Sequence, residues 1–193
     1  MASLVLAGNT SGSITVEAPA VAGSNTQTLV ATTGSLAPLI SGTSVTASGT
    51  SVDFPNIPSW VKRITLMLNG VSTNGTSDPL IQLGDSGGVE ITGYVAGAAV
   101  ITAGSAGLSS TAGFPISGSW SASVVFSGIV TLVLQDAATN TWTAGVSGGR
   151  TDASGAFTGG GYKSLSATLD RVRITTAGGV NTFDAGTINI LYE

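Results

Sequence analysis

Gly128-Ile129-Val130-Thr131-Leu132-Val133-Leu134, then Asp136-Ala137-Ala138-Thr139-Asn140, then Thr141-Trp142-Thr143-Ala144-Gly145-Val146: two runs rich in β-branched and apolar residues enclose a short Asp/Asn-containing loop. Such runs favour a pleated, half-buried surface, and the loop residues form turns through their own side chains. Together they predict a β-hairpin, and the rest of the chain is read outward from it.

Upstream, Arg63-Ile64-Thr65-Leu66-Met67-Leu68-Asn69-Gly70-Val71 has apolar residues on both faces, as expected of a central sandwich strand. Before it, Phe54, Pro55, Ile57, Pro58 and Trp60 make a stiff entry segment, with two prolines fixing the backbone and aromatics anchoring it. Residues 71–78 read as a polar loop. A short strand is expected over 79–83, ending at the turn Gly84-Asp85-Ser86-Gly87-Gly88. Val89–Val95 alternates cleanly and reads as a strand, 98–102 as another, and the small residues of 103–113 as loop. Ser121–Val125 reads as β.

Downstream, the glycine-dense stretch 148–162 reads as loop. Residues 164–169 are expected to pair with 172–175 around Asp170-Arg171, and 185–193 form a last strand that can be central. No window carries a capped 3.6-residue apolar stripe. Eight to ten strands joined by turns predict an all-β chain with a β-sandwich or jelly-roll-like domain over 51–193.

Residues 1–50 differ. They carry one charge, Glu17, and few large side chains. Ile14, Val16 and Ala18 alternate with Thr15 and Glu17, predicting a strand that Pro19 stops. Thr28–Ala31 predicts a second strand, closed by Gly34. Such a segment cannot build its own core, so it reads as an extended N-terminal β arm that packs on neighbours.

Composition narrows the function. Of the 193 residues, 42% are hydrophobic but only 8% are charged, against roughly 25% in ordinary soluble domains. Mean hydropathy is positive, unlike that of disordered chains. A surface so poor in charge is weakly protected from association and suits an assembly. The net charge is −4, and the cations are Lys62, Arg63, Arg150, Lys163, Arg171 and Arg173. These six dispersed cations make no basic face for nucleic acid. No apolar run is long enough for a helix to span a bilayer, and no basic n-region precedes the first apolar residues, so neither membrane nor secretory signal is expected.

The chain has no Cys and no His. This removes disulfides, thiolate nucleophiles, zinc–thiolate sites, the commonest general base and the commonest transition-metal ligand. Asp85 and Glu90 are too few for a calcium loop and read as turn chemistry, as do Asp136, Asn140 and Asp152. Gly159-Gly160-Gly161 before Lys163 is not followed by a helical pattern and is no phosphate loop. No carboxylate pair sits in an aromatic cleft, as glycoside hydrolysis needs. Catalytic residues, cofactors and metals are therefore not expected. Trp60, Trp120 and Trp142 read as core or interface anchors, with a sugar platform as the second reading, and Tyr162 joins them as an interface or glycan-contact candidate. Arg171 and Arg173 share one strand face and are placed to pair with Asp170 or Asp53.

Several stretches resemble virion structural proteins of tailed bacteriophages. Gly8–Leu36, with Gly8-Asn9-Thr10-Ser11-Gly12-Ser13-Ile14-Thr15-Val16-Glu17, resembles a short module that recurs in phage virion proteins and fibres. Ile57–Ser77, with Trp60-Val61-Lys62-Arg63 and Leu68-Asn69-Gly70-Val71, resembles structural proteins of the same loosely defined group. Gln82-Leu83-Gly84, Gly93-Tyr94 and Asp184–Glu193 fit it too, and together these cover about half of the chain. The resemblance implies a β-sandwich subunit, commonly trimeric, with no catalytic residues. It implies a place on the virion surface, as a capsid decoration or cement protein contacting itself and the major capsid protein. The alternative it carries is a tail-fibre tip that binds a host surface glycan.

Overall fold

The computed structural model describes residues 3–7, 11, 13–17, 39–102, 104 and 106–193. The chain divides into two compact units, Met1–Leu36 and Ala37–Glu193. Within the first, β1 (Ser3–Ala7) and β2 (Ser13–Glu17) form an antiparallel hairpin with Ser3 opposite Glu17. The strand expected over 14–18 is thus present one residue earlier. The strand expected over Thr28–Ala31 lies outside the described residues.

The second unit is a β-sandwich of two antiparallel sheets. Its strands are β3 (Ile40–Ser41), β4 (Val45–Thr46), β5 (Ser51–Phe54), β6 (Arg63–Thr73), β7 (Pro79–Asp85), β8 (Gly88–Val89), β9 (Val95–Ile101), β10 (Ala106–Ser110), β11 (Phe114–Pro115), β12 (Phe126–Asp136), β13 (Thr141–Arg150), β14 (Ala156–Ser164), β15 (Arg171–Thr176) and β16 (Phe183–Tyr192). The large sheet runs β10-β9-β14-β13-β12-β6-β16-β3, with β4 also on β16; the small sheet runs β11-β7-β15-β5, with β8 on β7. Eight connections, from β4–β5 to β15–β16, cross from one sheet to the other. Such repeated crossing ties the two sheets together over one core. Prolines sit where a ladder tolerates them: Pro79 opens β7 and Pro115 lies on the edge strand β11.

The core lies between the sheets. Alternation puts Ile64, Leu66, Leu68, Val130, Leu132, Ile188 and Ile190 of the large sheet against Val52, Ile81, Leu83, Val172 and Ile174 of the small one. Aromatics fill the wider spaces. Phe157 stacks on Trp120 with ring centroids 6.0 Å apart and meets Phe126 at 5.7 Å, and Tyr94 meets Phe114 edge-on at 5.1 Å.

Several expected loops and strands differ, for physical reasons. The stretch 148–162 is mostly strand, with only 151–155 left to turn. Its glycines make room: a Cβ on Gly148 or Gly128 would collide with the Phe126 ring, and one on Gly159 would press on Ala98. Strand β6 runs on to Thr73, past a bulge at Gly70, whose φ of 64° suits glycine. Residues 106–110 form β10, a short partner for β9.

Conversely, within Val89–Val95 only the two end residues are strand, Val89 closing β8 and Val95 opening β9, and residues 90–94 are not. The Tyr94 hydroxyl is drawn inward to accept from Leu83 N at 2.7 Å and donate to the Glu90 carbonyl at 2.9 Å, which bends the chain off the sheet. Residues 121–125 form a turn whose Val124 plugs the core. Residues 164–169 do not pair with 172–175, because β15 takes β5 and β7 as neighbours. Strand β16, expected to be able to sit centrally, lies between β6 and the short β3 and β4.

Candidate functional site

The four residues singled out from the sequence do not converge. Trp142 on β13 and Trp120 before β12 are buried, at 3% and 5% exposure. The Trp120 indole donates to Thr73 Oγ1 at 2.8 Å, and Trp142 backs a hollow of about 110 Å³ lined also by Pro58, Lys62, Leu134 and Leu169. Both are core residues with no face to offer a sugar. Trp60 is partly exposed and packs 6.0 Å from Tyr192. Tyr162 is exposed on β14.

Tyr162 leads to a surface that no single residue announced. Strand register aligns outward side chains into rows across the large sheet. One row is Val95, Tyr162, Thr143, Val133 and Arg63; the next is Gly97, Gly160, Gly145, Thr131, Thr65 and Leu191; a third is Ala99, Thr158, Ser147, Ile129, Met67 and Asn189. Val95, Tyr162, Val133 and Ile129 are all exposed. The only charge in these rows is Arg63, and Glu193 pairs with it. Using ~3.3 Å per residue and ~4.8 Å per strand, three alternate rows across six strands present a field of roughly 500–600 Å², somewhat below the ~800 Å² per partner of a standard interface.

The charges lie elsewhere and are largely satisfied within the chain. Five of the six cations stand in ion pairs: Arg63–Glu193, Arg150–Asp152, Lys163–Glu90, Arg171–Asp170 and Arg173–Asp53. The expected partners of Arg171 and Arg173 are thus the observed ones.

The densest polar cluster ties the β7–β8 turn to the end of β14. Asp85 is buried; it accepts from Gly87 N at 2.8 Å and from the Ser166 hydroxyl at 2.6 Å. Glu90 accepts from Ser166 N at 2.7 Å and pairs with the buried Lys163. The Lys163 ammonium also donates to Ser164 O at 2.8 Å and lies 5.6 Å from the Tyr94 ring centroid. The Ser166 hydroxyl and the Gly87 amide hold the Asp85 carboxyl below its usual range. Burial pushes Glu90 up, but Lys163 and Ser166 outweigh it and hold it low as well. Burial drives the Tyr94 phenol far above its usual value.

Carboxylates held this low are poor proton acceptors near neutrality, and Ser166 has no other base in this network. The arrangement works as a clamp. Asp85 closes the β7–β8 turn as expected, whereas Glu90 serves Ser166 and Lys163 instead of a turn, and nothing in the sequence signals these partners across a gap of more than seventy residues.

Among the described residues no group of three or more acidic side chains could hold a metal ion, and no helix is long and apolar enough to cross a membrane. Comparison with known proteins finds no matching family model, no matching curated protein and no matching solved structure.

Proposed function

We propose that this protein is a non-enzymatic structural subunit of a bacteriophage virion, a decoration or cement protein that binds the head through the outer face of its large sheet. The observation that carries this reading is the field across β9, β14, β13, β12, β6 and β16, whose rows hold no charge but Arg63, itself paired with Glu193. A neutral face of Thr, Ser, Gly, Val and Ile loses little on desolvation and repels no partner, whereas one buried unpaired charge would penalise docking. The sequence resemblance supplies the setting, a particle surface where identical subunits meet around symmetry axes, and a homotrimer is the natural unit.

The test uses heads that lack the protein. Purified chain added to them should bind at saturating, symmetry-defined sites seen by cryo-EM, and Ile129→Asp/Thr131→Asp should reduce occupancy at least about tenfold, since two unpaired charges would be buried. Density on tails alone, or equal head occupancy by the double variant, overturns the proposal.

A further inference from the structure

The small sheet presents a different outer face, and it carries a cleft. Direct cross-strand pairing sets Asp53 on β5, Arg173 on β15 and Gln82 on β7 side by side in one row. Beside this row opens a cleft of about 360 Å³, lined by Leu80, Gln82, Ile91, Ala112, Arg173 and Thr175, with Gly178 and Gly179 at one end. That volume lies near the lower bound of the ~300–1,000 Å³ typical of small-molecule sites.

The polar groups around it are held but not exhausted. Asp53 grips Arg173 in a bidentate pair, Nε to Oδ1 and Nη2 to Oδ2, both at 2.7 Å. This fixes the guanidinium plane and leaves Nη1 with no protein acceptor among the described residues. The Gln82 amide nitrogen donates to Ala112 O at 2.8 Å, which orients the side chain and leaves Oε1 with no protein donor among the described residues. The Thr175 hydroxyl donates to Thr50 O at 2.9 Å and keeps its lone pairs. Leu80 is buried outside the main core cluster and supplies an apolar floor, and the exposed Ile91 supplies an apolar rim.

We propose that this cleft binds one neutral pyranose unit. Fixed donors and acceptors alternating along a row match the vicinal hydroxyls of a sugar, each of which both donates and accepts. The apolar floor and rim match its C–H face. Asp53 cancels the charge of Arg173, so an anion gains little there, which separates this site from a phosphate or carboxylate pocket. The inference goes beyond the assembly reading and does not depend on it, because the cleft is on the opposite sheet.

Saturation-transfer NMR on the intact chain, with the methyl glycosides of glucose, galactose, mannose and N-acetylglucosamine as probes, tests it. At least one should bind at about the millimolar level and shift the methyl signals of Leu80 and Ile91. Gln82→Met should weaken it about tenfold or more, since a sugar hydroxyl loses its acceptor. Because Gln82 is buried, Ile91→Asp at the exposed rim is the control against misfolding and should weaken binding several-fold with an unchanged melting curve. Sodium sulfate should not compete. Absence of transfer to all four probes, undiminished binding by both variants, or displacement by sulfate overturns the proposal.

Discussion

The two sheets turn opposite kinds of surface to solvent. Three rows across the outer face of the large sheet hold a single charge, Arg63 at their margin, whereas the outer face of the small sheet carries paired charges, Asp53 with Arg173 and Asp170 with Arg171. Both sheets share one core and one alternation rule, so the difference is not required by folding. In a chain with few charges, placing most of them in intramolecular pairs keeps a broad field free of them. The lesson is that charge scarcity matters through where the charges go.

That contrast can be broken or sharpened by substitution. The largest effect belongs to neither face but to the core that both share. Phe126→Ala removes a fully buried ring packed on Phe157 and should cost about 3–5 kcal/mol, read as a lower urea midpoint. Cutting the clamp comes next. Lys163→Ala leaves Glu90 without its cation and should cost up to about 3 kcal/mol in the same assay.

Acid probes that clamp without mutation, together with Asp136 and Asp152, whose carboxyls are also held low by their hydrogen-bond partners. Asp85 and Glu90 titrate below their ordinary 3.8 and 4.5 in the folded chain. Their contribution is therefore complete above those values and is lost as pH falls through the lowered ones. Melting temperature should hold from pH 7 to about 5 and drop below about 4; a flat profile to pH 3 would show that the clamp does not stabilise the fold.

On the small sheet, Asp53→Asn breaks a partly exposed pair and should cost only about 0.5 kcal/mol. Smallest of all, Ile129→Asp on the neutral face should change the stability of the isolated chain by less than about 0.5 kcal/mol. That variant sharpens the comparison most, because a residue that stability ignores and assembly requires belongs to an interface.

Sequence patterning revealed the sandwich more readily than the surface. Alternating Val, Ile, Leu and Thr marked β6, β12, β13 and β16 because large inward side chains leave a period-two trace. Strand β14 left none: its inward positions include Gly159 and Gly161, required by close approach to β9, so a packed strand looked like a loop. Val89–Val95 showed the reverse error, since its alternation reflects one anchored tyrosine instead of a ladder. The neutral face was legible only as an overall shortage of charge. Which residues share it depends on the register of six strands, and register is set by turns and bulges, such as those at Gly70 and between Leu134 and Asp136, that patterning does not encode.

The pairing of β16 with β6 has a consequence in time. Partners such as Thr73 with Phe183 and Ile64 with Tyr192 are more than a hundred residues apart, and at ribosomal rates of about 5–20 residues per second β6 waits roughly five to twenty-five seconds for its neighbour. Contacts that distant also form slowly. Throughout the delay β6 shows an open edge whose one charge is Arg63, the kind of template that nascent chains on the same polysome can share. Few charges therefore make biogenesis the vulnerable stage of this protein's life, and soluble yield should rise when expression is slowed enough to keep newborn copies apart until β16 arrives.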